Sequence, residues 1–108
     1  LDYVEYNSLM QTSYYLNISK KDTIRLLDEF YTKLNEFNND ILNKRWRLYY
    51  KTGLRDFGLG KELILLYIIH RHYKPHKAIE TGVGYGSSTS YILKALNEND
   101  YGTLIIKF

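Results

Sequence analysis

The chain has no cysteine, so neither a disulfide framework nor a thiolate metal site can be built from it, and the absence fits a reducing compartment. It has a single proline, Pro75, which confines the rigid chain break to one place. Long hydrophobic runs are missing as well. The longest, Leu63 to Ile69, falls far short of the roughly 20 residues that cross a bilayer, and no charged-then-apolar leader opens the sequence. A soluble, cytoplasmic protein without membrane association is therefore expected. What is present is enough for a core. With 44% hydrophobic and 25% charged residues, the 108-residue chain reads as globular and is of a size for one domain.

Net charge is only +3, but it is unevenly spread. Lys and Arg number four against seven acids over residues 1–43, nine against two over 44–77, and two against three over 78–108. The basic middle holds Lys44, Arg45, Arg47, Lys51, Arg55, Arg71, Lys74 and Lys77, interleaved with Trp46, Tyr49, Tyr50 and Tyr73. Such a mixture can bind phosphates and stack bases, so residues 44–77 are a candidate surface for nucleic acid or an acidic partner. A solvated helix surface with its aromatic residues turned inward is the plainer alternative.

Helical spacing of apolar residues runs through the first 18 positions and breaks at Asn17. Ser19, three residues before Asp22, can cap a second helix, with the acid favouring its positive end. There Leu27, Phe30, Leu34, Phe37 and Ile41 recur every three or four residues, one stripe over about four turns. Asn38, Asn39 and Asp40 mark a helix end, Trp46 to Tyr50 a further helical fragment, and Gly53 to Gly60 a turn-rich stretch. A core helix is expected from Lys61 to about Tyr73, ended by Pro75. His70, His72 and His76 do not make a metal site, because positions 70 and 72 diverge on a helix and Pro75 interrupts the spacing to 76.

Chemistry concentrates in Ala78-Ile79-Glu80-Thr81-Gly82-Val83-Gly84-Tyr85-Gly86-Ser87-Ser88-Thr89, a strand of buried type running into alternate glycines and then a helix. Glycines there expose backbone amides and take positive φ, so a ligand can lie directly on the main chain. Ser87 or Ser88 can cap the helix, whose Tyr91, Ile92, Leu93, Ala95 and Leu96 form an apolar face. A turn over Asn97 to Gly102 leads to a second strand at Thr103 to Ile106, expected to lie parallel to the first. No Ser/His/Asp or Cys/His arrangement has local motif context, so hydrolysis is unsupported and no catalytic residue is assigned.

This string resembles the first motif of class I S-adenosylmethionine-dependent methyltransferases, in which an acid precedes Gly-x-Gly-x-Gly at the end of the first strand. The expected fold is α/β: a helical region over residues 1–76, followed at 77–108 by a single βαβ unit like the start of a Rossmann-like methyltransferase fold. The resemblance implies S-adenosylmethionine as cofactor, with Glu80, Thr81, Gly82, Val83, Gly84, Tyr85, Gly86 and Ser87 around its methionine portion and Glu80 orienting the ammonium. A dinucleotide fingerprint would place glycine at Ser87, and a phosphate loop would need Gly-Lys-Ser/Thr; a bare strand-to-helix turn is the bland alternative.

Family members carry a second acid at the end of the second strand for the ribose, and that position falls on Phe108. A complete active site is therefore not expected in these 108 residues alone, which read as a truncated or partial form. One edge of Lys77 to Thr81 should be left open, to be covered by a second copy, by an N-terminal segment, or by another chain.

Overall fold

The computed structural model describes residues 1–33, 61–82 and 87–107. Four helices and a two-stranded parallel sheet make up these residues, in the order α1 (Tyr3–Tyr15), α2 (Lys20–Thr32), α3 (Lys61–Tyr73), β1 (Lys77–Thr81), α4 (Ser87–Asn99) and β2 (Thr103–Lys107). The chain is thus mixed α/β and rich in helix.

Local chemistry accounts for most of the boundaries. Asp2 and Glu5 form a reciprocal cap on α1, the Asp2 Oδ1 accepting the Glu5 amide at 2.8 Å and the Glu5 carboxylate accepting the Asp2 amide. Asn17, at φ 61°, turns the chain out of α1, and Ser19 then caps α2 by accepting the Asp22 amide at 3.1 Å. Of the stripe expected along α2, Leu27 and Phe30 are buried, joined by Thr23 and Leu26; Leu34, Phe37 and Ile41 lie outside the described residues. Lys74, at φ 48°, ends α3 just before Pro75, and Asp100, at φ 61°, ends α4. Gly102 follows at φ +107°, where a Cβ would stand 2.8 Å from the Pro75 carbonyl oxygen, so the approach to β2 requires glycine.

One apolar cluster joins all four helices. Leu9 and Ile18, Leu26, Leu27 and Phe30, Ile64, Tyr67 and Ile68, and Tyr91 and Ala95 pack together, with Phe30 ring centroids 5.6 Å from Tyr67 and 5.8 Å from Tyr91. A smaller cluster of Ala78, Ile92 and Leu96, lined by Leu66 and Leu104, holds α4 against the sheet. Within the sheet, Lys77 to Thr81 pair in register with Thr103 to Lys107. Among the described residues no strand pairs with the other edge of β1.

Two expectations need correction. β1 is not a strand buried on both faces: Ala78 and Glu80 are buried, whereas Ile79 is 67% exposed. Alternation puts successive side chains on opposite faces, and Ala78 is the one drawn to Ile92 and Leu96, so the carboxylate two positions on turns inward with it. Leu93, assigned to the inner face of α4, is 48% exposed.

Ser13 of α1 is fully buried, yet its hydroxyl has no hydrogen-bond partner among the described residues. A buried unpaired hydroxyl costs free energy, and alanine is the better helix former. Ser13→Ala is therefore expected to leave stability unchanged or raise it by about 1 kcal/mol in urea titration, and a clear loss would contradict this account.

Candidate functional site

The carboxyl end of β1 and the first turn of α4 form the candidate site. Glu80 is next to last in the strand and only 8% exposed. Its Oε2 accepts a hydrogen bond from the Ser88 hydroxyl at 2.6 Å, and its Oε1 accepts one from the Thr89 hydroxyl. The sequence folds this way because the alternation of β1 aims Glu80 at α4, and successive helical residues present their hydroxyls to it from one turn. The carboxylate also lies against the amino-terminal turn of α4, where the helix dipole favours negative charge by about 0.3–1 kcal/mol.

Gly82 leaves the strand at φ +67°, and its amide donates to the Lys107 carbonyl at 3.4 Å. Among the described residues, a Cβ built on Gly82 would meet nothing within 4 Å. The left-handed backbone is what favours glycine here.

Of the sequence-predicted site residues, Glu80, Thr81 and Gly82 stand together at this strand end, with Thr81 exposed. Ser87 is the first residue of α4, and Val83, Gly84, Tyr85 and Gly86 lie outside the described residues. Ser88, one of two hydroxyls expected to cap the helix, instead bonds Glu80. Thr89 was not anticipated at all. The signal was present in the Ser87-Ser88-Thr89-Ser90 run, because hydroxyls on the opening turn of a helix face back towards the preceding strand end.

The basic region divides differently from its sequence. Arg71 turns inward: its Nε and Nη2 meet the Glu29 carboxylate at 2.7 and 2.6 Å, and its Nη1 reaches Asn99 Oδ1 at 2.5 Å. The Tyr67 hydroxyl adds a bond to Glu29 Oε2 at 2.8 Å, and Asn99 Nδ2 donates to the His70 carbonyl at 2.8 Å. Arg71 is thereby removed from any docking surface. Lys74 and Lys77 are exposed, and Lys44, Arg45, Arg47, Lys51 and Arg55 lie outside the described residues.

This network has its own electrostatics. Hydrogen bonds from Arg71 hold the Glu29 carboxyl below its ordinary range, with Tyr67 helping and burial opposing. Burial, then the Glu29 carboxylate, push the Tyr67 phenol up. Glu29 also raises the Arg71 guanidinium.

The histidines stay apart in role: His70 Nδ1 lies 2.7 Å from the Leu66 carbonyl oxygen, His72 lies 4.0 Å from Asp22, and the His76 ring packs on Tyr101. Among the described residues no three His, Cys, Asp or Glu side chains gather as a metal site. No described helix is long and apolar enough to cross a membrane. A shallow cleft of about 440 Å³, bordered by Leu93, Asn97, Asp100 and Tyr101, opens at the other end of α4.

Compared with known proteins, the chain matches no family model, no curated protein and no solved structure.

Proposed function

We propose that residues 77–107 are the methyl-donor-binding start of an S-adenosylmethionine-dependent methyltransferase-like fold. In this reading Glu80 receives the ammonium of the donor's methionine portion, and the backbone from Gly82 onward borders it. One observation carries the reading: a buried acid and a positive-φ glycine stand at the carboxyl end of a parallel strand, facing the amino terminus of the next helix. Ligands of open α/β sheets bind outside the carboxyl ends of strands, where helix amino termini converge.

The residues fit the group. Gly82 brings no side chain of its own, no described residue lies within 4 Å of where its Cβ would stand, and a carboxylate accepts from an ammonium. When bound, S-adenosylmethionine supplies a methyl group on an electrophilic sulfonium. What this chain contributes is the seat: Glu80 supplies the acceptor, the Ser88 and Thr89 hydroxyls each bond one of its oxygens, and Gly82 adds no side chain beside it.

Titration with S-adenosylmethionine and S-adenosylhomocysteine, followed by amide chemical shifts, tests this. Changes should centre on Glu80, Thr81, Gly82, Ser88 and Thr89, with a dissociation constant of about a millimolar if the adenine and ribose contacts are absent, and of about a micromolar for a complete site. No change at these amides up to about 10 mM ligand, which is weaker than about 3 kcal/mol of binding, would overturn the proposal.

A further inference from the structure

We infer that the two hydroxyls on Glu80 have opposite tasks: Thr89 fixes the carboxylate through Oε1, and Ser88 occupies Oε2 until a primary ammonium displaces it. The inference rests on the donor-binding reading above and goes beyond it, because it separates the oxygen that is held from the oxygen that is offered.

Burial separates the two donors. Thr89 is 8% exposed, whereas Ser88 is half-buried. Releasing the Thr89 hydroxyl would strand a buried donor, and its β-branched side chain has few alternative rotamers on a helix. Ser88 carries neither restriction. Its hydroxyl can rotate to another staggered well and meet water, so its bond to Oε2 is the cheaper to give up. An incoming ammonium has three donors and a full charge, and a charge-assisted hydrogen bond to a carboxylate is about twice as strong as one from a neutral donor. Exchange at Oε2 is therefore favourable, and exchange at Oε1 is opposed.

The two hydroxyls consequently act with opposite sign on a ligand that bears an amine. Thr89 is a positioning residue that preorganises the acceptor. Ser88 competes with the ligand for it.

Amide-shift titrations of wild type, Ser88→Ala, Thr89→Val and Thr89→Ser with S-adenosylhomocysteine decide the matter, with 5′-methylthioadenosine, which lacks the amino acid end, as the control that should shift no amide of this site. Thr89→Val should bind S-adenosylhomocysteine about tenfold more weakly while its amide spectrum outside residues 80–89 stays unchanged. Thr89→Ser, which keeps the hydroxyl, should restore binding to within about threefold. Ser88→Ala should bind S-adenosylhomocysteine about threefold more tightly. If wild type does not bind S-adenosylhomocysteine, this inference and the donor-site reading both fall. If wild type binds S-adenosylhomocysteine but Thr89→Val binds it equally well, or Thr89→Val shifts amides throughout the fold, only the positioning role falls. Should Thr89→Val not fold, Ser88→Ala still decides, because a weaker amine ligand there contradicts displacement.

Discussion

Replacing Phe30 with alanine is expected to lower the free energy of unfolding by about 4 kcal/mol, a large share of the 5–15 kcal/mol that holds a domain together. Phe30 is fully buried where α2, α3 and α4 meet, with its ring against Tyr67 and stacked at 26° on Tyr91. Truncation removes the transfer energy of the ring, leaves a cavity and ends aromatic contacts with Tyr31, Tyr67 and Tyr91. The surrounding side chains come from three separate helices, so the gap cannot close without moving one of them. Phe30→Leu, which keeps most of the volume, should cost no more than about 1.5 kcal/mol. Urea unfolding of both variants measures the difference, and an alanine variant within about 1 kcal/mol of wild type would show that this junction is not where the core is held. A functional consequence follows from the chain itself. Tyr91 stands two residues beyond Thr89 on α4, so loosening its ring should raise hydrogen exchange at the helix turn that grips Glu80.

The second large effect belongs to the network of Glu29, Tyr67, Arg71 and Asn99. Glu29 and Arg71 side chains are 22% and 15% exposed, so their ion pair is mostly withdrawn from water. Removing one partner leaves a charge without its counterpart, and Glu29→Ala or Arg71→Ala should each cost about 3 kcal/mol. The double replacement should cost clearly less than the sum of the two, because the second change removes no further pair. A strictly additive double variant would show that the two side chains do not act together. Lysine at position 71 is not a substitute, since only the guanidinium spans both Glu29 oxygens and Asn99 at once.

The same network sets a pH dependence whose sign is determined. The folded Glu29 carboxyl lies below its ordinary value of 4.5, so its contribution is fully present above that value and is lost as pH falls through the folded value. Melting temperature should therefore decline with acidification below about pH 4.5, and Glu29→Gln should lack that component. Tyr67 works at the other end of the scale. Its folded value is raised, so the stability it adds is present below its ordinary value of 10.0 and is lost as pH rises beyond it.

Much of this arrangement is legible in local sequence, and the illegible parts share a cause. Ser19 ahead of Asp22, Pro75 after a helix, and the short apolar runs ending at Thr81 and beginning at Thr103 announce α2, the end of α3, and the two strands, because caps, ring constraints and strand periodicity act within a few residues. The inward turn of Arg71 was hidden because its partner Glu29 is 42 positions away. Helical spacing alone hinted at it: Glu29 flanks Phe30 on α2, and Arg71 stands one turn after Tyr67 on α3. At the candidate site, the acid and glycines could be read directly, whereas the hydroxyl grip on Glu80 could not.

By itself, then, the sequence determined the start of α2 at Ser19, the end of α3 before Pro75, the acid-before-glycine string, and the lack of cysteine ligands, since each depends on side chains near one another along the chain. Tertiary structure alone decided that Ile79 faces outward while Glu80 faces α4, that the Thr89 hydroxyl bonds the carboxylate, and that Arg71 pairs with Glu29 within the fold. The physical reason is that the direction of a side chain is settled by which neighbour buries the face beside it, and here those neighbours, Ile92 and Leu96 for the strand and Glu29 for the helix, come from other elements.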